Sequence, residues 1–435
     1  MKKVLIITYN WPPGGGIVVL RCLKFVKYLR NFDWEPLVYT VSNPTYPYLD
    51  YSNEKDIPEG ITIIKQPIME PIGIFKKLSG RKKSEPLLNI IQSSSKKRSF
   101  ADTLGIWVRG NFFIPDARAL WIKPSVKHLE EYLKDNPVNA ILTDGPPHTN
   151  TVIGQKLAQK LNLPWLADFQ DPWTQVDYYE KLLIGKRADR KHKKLEQETF
   201  KTANKITIAS PTWKKDLESI GAKNVDVVYY GYDEDDFRNF EKRPTSLFKL
   251  FHAGLLGNDR NPTVLFECLS ELISEKPELK QFVRIVLAGE TDYEVFETIK
   301  QHHLDDVTEN LGIINRKEVF KHYSDSSLLL LPINKSKNAK GRIPGKLYEY
   351  MRTYTPILAF GPKDGDVKNI IESKLLGKSF EYDEKTPLKN YLKEELESFL
   401  KNGYKQLSSD ISEFSNENQT KKIASYLNEI SQLTA

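Results

Sequence analysis

At 435 residues, with 40% hydrophobic and 28% charged side chains, the chain is of ordinary globular composition and too long for a single hydrophobic core, which points to two domains. Its formal net charge of +7 suits anionic ligands or a lipid surface and does not demand nucleic acid as a partner. The apolar run at residues 4–8 is too short for the core of a signal peptide, and no later segment approaches a membrane span. The expectation is a cytoplasmic protein. Cys22 and Cys268 each fall in an apolar helical pattern and read as small core residues, not as a disulfide or metal site.

Residues 4–8 read as a buried strand, followed at once by Pro12-Pro13-Gly14-Gly15-Gly16 and then a helix over 17–29. Strand, glycine-rich turn and helix open a nucleotide-binding α/β unit, because glycine lets backbone approach a ligand closely. The loop is not G-x-G-x-x-G, and the second strand, 35–40, ends without an acidic residue. Both features argue against a nicotinamide oxidoreductase. Gly15 and Gly16 are candidate donor-binding residues, their backbone allowing close approach of donor or acceptor; a substrate-facing loop and a mere tight turn are the alternatives.

Residues 41–125 show little regularity. Basic clusters at Lys76-Lys77, Arg81-Lys82-Lys83 and Lys96-Lys97-Arg98 interleave with Ile74, Phe75, Trp107 and Phe113 across 74–113. Basic and bulky apolar residues together suit acidic lipid headgroups, hence peripheral contact with the inner face of a membrane. A solvated insertion with its own small core is the other reading. Asp116 and Arg118 read as a buried ion pair.

Alternation resumes with a helix over 125–134 and strands at 140–143 and 165–168. His148 follows the first of these strands and Asp171 the second. Both therefore join Gly15 and Gly16 at carboxyl ends of strands, where open parallel sheets bind ligands. A loop-capping histidine and a turn or N-cap aspartate are the alternatives. A charged helix over 187–203 leads to strands at 205–209 and 225–230. The acidic run Asp233-Glu234-Asp235-Asp236 lacks a second ligand cluster and reads as a solvated inter-domain loop, with 238–246 as the linker.

A second α/β series opens with a strand at 248–254, and further strands lead to Gly289-Glu290 and to Gly312-Ile313-Ile314. Arg260 follows the first strand. Lys346 opens a helix over 346–354 within Pro344-Gly345-Lys346-Leu347-Tyr348-Glu349-Tyr350. A loop entering a helix offers unpaired N–H groups to an anion. Lys346 and Arg260, both at the carboxyl edge of this sheet, look like a diphosphate clamp. Glu349, one turn deeper, would suit a ribose; the alternative is an i,i+3 ion pair with Lys346. Residues 419–433 form an amphipathic pattern, with Ile423, Tyr426, Leu427 and Ile430 on one stripe.

Assembled in order, these motifs resemble the retaining GT-B glycosyltransferases of family 4 over nearly the full chain. The likeness rests on the Pro12–Gly16 loop, Gly254-x5-Arg260, 312–318, 328–332 and the helix start at Lys346. It implies two Rossmann-like α/β domains facing a cleft. The acceptor side would be 1–237, with the basic insertion at 41–125; the nucleotide-sugar side would be 247–415, and a helix at 419–435 would return to the first domain. The resemblance makes Glu349 the second carboxylate of the family's E-x7-E pattern, on the ribose. It makes Arg260 the neutraliser of the diphosphate, with Gly345, Glu290 and Ile314 facing the donor and Asp171 or His148 near the reacting sugar. The chain departs from the pattern at Gly341, where the first glutamate would fall, and at Leu255, where the family carries arginine; Lys340, Arg342 and Lys346 crowd the same loop. The expected activity is transfer from a UDP- or GDP-sugar to a hydroxyl on a glycan or lipid-linked acceptor, with no cofactor and no metal. A sugar-nucleotide epimerase or a non-catalytic nucleotide-sugar-binding protein on the same frame is the alternative.

Overall fold

The computed structural model describes residues 1–70 and 100–432, without the side chains of 100–102. The basic clusters at 76–77, 81–83 and 96–98 lie outside the described residues. The chain divides into two compact units: Met1–Tyr230 with Asn416–Ala435, and Gly231–Ser415.

The first unit is built on β1 (Lys2–Ile7), β2 (Trp34–Val41), β3 (Thr62–Gln66), β4 (Ala140–Gly145), β5 (Trp165–Phe169), β6 (Lys205–Ile208) and β7 (Val225–Val227). They pair throughout in parallel, in the order β3-β2-β1-β4-β5-β6-β7. Successive side chains alternate between faces. Leu5 and Ile7 accordingly enter one apolar cluster, and Val4 and Ile6 the other. Burial of both faces explains why the strands read as unbroken apolar runs.

The second unit repeats the plan with β8 (Phe248–Ala253), β9 (Val283–Ala288), β10 (Thr308–Gly312), β11 (Leu328–Pro332), β12 (Ile357–Phe360) and β13 (Gly377–Phe380). Their order is β10-β9-β8-β11-β12-β13, again all parallel. Each unit is thus Rossmann-like, with its strand order reversing beside the first strand, at β1/β4 and at β8/β11. Such a reversal leaves a crevice at the carboxyl ends of the strands.

The helix Asn416–Gln432 belongs to the first unit. Ile423, Ala424, Leu427 and Ile430 pack in one cluster with Leu23 and Val26 of the helix Ile17–Tyr28. The Gln419 carboxamide oxygen accepts the Tyr229 N–H at 2.8 Å. Cys22 and Cys268 are buried in the cores of different units.

Four sequence expectations change. The irregular stretch 41–125 contains the edge strand β3 and the helix Phe100–Phe112. The polar stretch 238–246 lies within the second unit and is docked against it, not a free linker. The Lys242 ammonium donates to the Ser326 carbonyl at 2.6 Å and the Thr355 hydroxyl at 2.9 Å, and burial draws its pKa down to about 8. The acidic run is paired instead of merely solvated, Glu234 with Arg352 at 2.8 Å and Asp236 with Arg316 at 3.0 Å. Arg118 pairs with Glu70 at 3.2 Å, while the Asp116 carboxylate serves Thr149.

No helix among the described residues is long and apolar enough to cross a membrane. Leu427 is fully buried, so Leu427→Ala should cost about 2–4 kcal/mol and lower the urea midpoint of the first unit. A change under about 0.5 kcal/mol, the size expected of a surface substitution, would show that the helix does not dock as described.

Candidate functional site

In the second unit the carboxyl edge of the sheet is lined with glycine where β8, β9 and β10 end. Gly254, Gly289 and Gly312 take φ of +125°, +111° and +60°, a region that favours glycine. The Gly289 N–H donates to the Gly312 carbonyl and the Gly254 N–H to the Ala288 carbonyl, both at 2.6 Å. A Cβ on Gly289 would fall 2.6 Å from the Gly254 carbonyl oxygen, and one on Gly254 would fall 2.2 Å from the Lys346 Nζ. The lysine side chain therefore lies directly over the β8 turn.

Lys346 begins the helix Lys346–Arg352. The helix is seated by Tyr350, whose buried hydroxyl accepts the Ala253 N–H at 3.2 Å and donates to the Leu330 carbonyl at 3.4 Å, linking it to β8 and β11. At seven residues it is shorter than the sequence pattern suggested; Thr353 caps it and Tyr354 turns left-handed, at φ +55°. Burial lowers the Lys346 pKa, opposed by the Glu349 charge and reinforced by that of Arg260. Among the described residues no carboxylate forms an ion pair with Lys346.

Arg260 ends a short 3-10 turn, Asn258–Arg260, and leans on its neighbour Asp259 at 3.0 Å. His252, buried on β8, feels both cations. Its Nδ1–H donates to the Leu330 carbonyl at 2.9 Å, and burial, then the Lys346 and Arg260 charges, push its pKa down to about 4. The imidazole is therefore neutral at neutral pH and adds no third charge. Glu349 does not close an ion pair with Lys346: Arg316 holds one oxygen at 2.9 Å and the Tyr323 hydroxyl donates to the other at 3.1 Å. Each oxygen keeps acceptor capacity for a further donor. Gly345 precedes Lys346, Glu290 is exposed just after β9, and Ile314 is partly buried just after β10.

In the first unit Gly15, Gly16 and His148 border a cavity of about 400 Å³, together with Tyr9, Arg109 and Trp173. His148 lies flat on Trp173, with ring centroids 4.3 Å apart and planes 2° from parallel. Burial, with His192 adding to it, lowers the His148 pKa to about 3, so it is a neutral wall residue at physiological pH. Asp171 is partly buried after β5 and its charge reaches the Tyr178 and Tyr230 hydroxyls; Tyr178 borders the cavity.

Beneath this region runs a buried polar network that the sequence did not announce. Arg21 makes a bidentate pair with Asp168, at 2.7 Å through each nitrogen, and the Thr207 hydroxyl donates to the same carboxylate at 2.6 Å. Asp144, at the end of β4, accepts the Thr8 hydroxyl at 2.9 Å and the Gln170 amide. Burial raises its pKa to about 7, the Gln170 and Thr8 hydrogen bonds and the Arg21 charge notwithstanding. His252, Arg316, Arg21 and Asp144 all escaped sequence reading. For Arg316, the spacing from Gly312 was the one available signal.

No protein-family model matches the chain, and no curated protein matches its sequence. Solved structures do share its fold. One is the Anabaena protein HepE in complex with UDP and glucose, at 14% identity, covering 100% of this chain and 98% of that one, with a TM-score of 0.54. Another is the lipopolysaccharide outer core galactosyltransferase WaaB, at 11% identity, coverage of 98% and 99%, and a TM-score of 0.59. A Listeria monocytogenes protein assigned as a UDP-N-acetylglucosamine 2-epimerase matches at 11% identity, coverage of 100% and 97%, and a TM-score of 0.55. The two-domain α/β architecture is that of the GT-B fold.

Asp144 supplies a test of the buried network. A carboxylate raised from 3.8 to about 7 on folding favours the native state below pH 3.8 relative to higher pH. Its contribution is lost as pH rises through about 7, because only the unfolded chain ionises freely across that window. Urea titrations between pH 4 and 8 should show a falling limb on the order of a few kcal/mol, and Asp144→Asn should flatten it. An identical limb in the variant would assign the pH dependence to other groups.

Proposed function

We propose that the chain is a retaining glycosyltransferase of the family 4 kind, moving a sugar from a UDP- or GDP-sugar to a hydroxyl acceptor. The observation that carries this reading is Lys346 lying over the β8 turn at Gly254, with Arg260 on the loop leaving that turn and its charge reaching both Lys346 and His252. Lys346 is partly buried with no ion-pair partner among the described residues and feels the Arg260 charge, which Asp259 only partly offsets; this raises the energy of the empty site. A diphosphate relieves it. Gly254 and Gly289 carry no side chain into this edge, which lets Lys346 and the β8 and β9 turns pack closely there. Glu349, oriented by Arg316 and Tyr323, accepts a ribose hydroxyl through its spare lone pairs; Gly345, Glu290 and Ile314 complete the donor-facing rim.

Charge accumulates on the departing diphosphate in the transition state. Fixed cations aimed at it lower that barrier, and loss of one such contact typically costs about 10²–10³ in kcat. Lys346 and Arg260 supply this stabilisation without a divalent metal. The helix dipole contributes little across two turns, so the side-chain charges carry the effect. The acceptor binds in the first unit, in the cavity bordered by Gly15, Gly16 and His148, with Asp171 beside it. Retention at the anomeric carbon follows from the family resemblance. Chains of this fold act on or bind UDP, glucose and galactose, which supports a hexose donor and a role in surface polysaccharide or glycoconjugate assembly, on the cytoplasmic side. Sugar-nucleotide epimerisation is the second reading, favoured by the fold shared with the Listeria protein; it would convert UDP-N-acetylglucosamine with no acceptor present.

Nucleoside diphosphate release from UDP-, GDP- and ADP-sugars should identify the donor, and it should persist in EDTA. Lys346→Ala and Arg260→Ala should each lower kcat by about 10²–10³ with unchanged far-UV circular dichroism. Unchanged release in Lys346→Ala would remove the assignment.

A further inference from the structure

The cavity of the first unit carries a guanidinium that no described residue meets in an ion pair. Arg109, on the helix Phe100–Phe112, and Arg118 both border it, together with one carboxylate, Asp116. Asp116 is already committed. One oxygen accepts the Thr149 N–H at 2.8 Å; the other accepts the Thr149 hydroxyl and the Arg118 N–H, both at 2.9 Å. Arg118 is committed too: it pairs with Glu70 at 3.2 Å and lies 4.4 Å above the Tyr9 ring. Glu70 in turn accepts the Tyr9 hydroxyl at 2.9 Å.

Arg109 has no such arrangement. Among the described residues no carboxylate lies within ion-pair distance of its guanidinium and no carbonyl accepts from it. Burial, then the Arg118 charge, lower its pKa, opposed by the more distant charges of Asp116, Tyr178 and Glu70. Arg109 is half-buried and borders the cavity, and its planar fork matches a carboxylate or phosphate through two parallel hydrogen bonds. The His148–Trp173 stack, Tyr9 and Tyr178 give the cavity an aromatic wall, with Asn10, Thr45 and His192 also bordering it. A volume of about 400 Å³ falls in the usual range for small-molecule sites and admits a sugar ring with a charged substituent.

We infer that this cavity takes an anionic sugar, a carboxylate or phosphate on the ring being gripped by Arg109 while the aromatic wall packs against the ring. The inference rests on the transferase reading only for the word acceptor; the binding site stands on the geometry of the first unit alone. It makes the acceptor a uronic acid or a sugar phosphate, not a neutral hexose.

The test is calorimetric titration of the full chain with methyl glucuronide, glucose 6-phosphate and methyl glucoside. Either anionic sugar should bind at least about tenfold more tightly than methyl glucoside, the margin of one charge-assisted hydrogen bond, and the tighter of the two identifies carboxylate or phosphate. Arg109→Gln should abolish that margin, Arg109→Lys should keep part of it, and Lys346→Ala should leave it intact. Unchanged far-UV circular dichroism and an unchanged urea midpoint certify the fold of Arg109→Gln, and UDP should bind it as in the wild type. Equal affinity for the neutral sugar, an unchanged margin in Arg109→Gln, or loss of the margin in Lys346→Ala overturns the inference. UDP binding without any anionic preference sinks the inference and leaves the transferase reading. An Arg109-dependent preference without UDP binding does the reverse.

Discussion

Two cations within each other's field, Lys346 with no ion-pair partner among the described residues and Arg260 held by Asp259 alone, set the character of the second unit. Lys346 is brought over the β8 turn by a helix seated through Tyr350, and Arg260 is brought in by the loop that leaves the same turn. His252 lies within the field of both and is kept neutral. The glycines at the ends of β8, β9 and β10 are the geometric counterpart of that electrostatic arrangement. Among them Gly254 lets the Lys346 side chain lie against backbone at the end of β8. A folded protein maintains such repulsion only where the surrounding structure over-determines it, and perturbed titration of this kind concentrates at functional sites. Here the surroundings are the six-stranded sheet and its buried tyrosines.

The first unit is organised differently. Its charges beneath the crevice are matched: Arg21 with Asp168, Arg118 with Glu70, Asp116 with the start of the helix His148–Leu161. Asp144 is the member whose burial outweighs its hydrogen bonds. Such a network fixes the loops after β1, β4 and β5 without offering a mobile charge to a reaction. This division agrees with the proposed roles, in which the second unit stabilises the leaving group and the first positions an acceptor. His148, neutral and flat on Trp173, is suited to shaping a wall more than to carrying a proton.

Much of the architecture was legible because both sheets are parallel and covered on both faces. Runs such as Val4 to Ile7 and Leu328 to Leu331 are apolar throughout, and each is followed by turn residues and a helix. The placement of Arg260 and Lys346 was legible as well, since each comes from a loop that follows a strand. What stayed hidden depends on partners far along the chain. Arg21 sits in a helix whose pattern is simply amphipathic, and its partner Asp168 lies on another strand. His252 looked like one polar residue in an apolar strand. Lys242 looked like part of a linker because composition reports its polarity and not the carbonyls it reaches. Glu349 was placed correctly on its helix, but spacing offered Lys346 as its partner when Arg316 holds it instead.

The central claim is that the affinity of the second unit for a nucleotide resides in the diphosphate and is delivered by two side chains. The most direct measurement compares the Kd of UDP with that of uridine in the wild type, Lys346→Ala, Arg260→Ala and the double variant. The account predicts a wild-type advantage of UDP over uridine of at least about a hundredfold, the scale of two charge-assisted contacts, falling in each single variant and vanishing in the double one. A UDP advantage that survives in the double variant would contradict it.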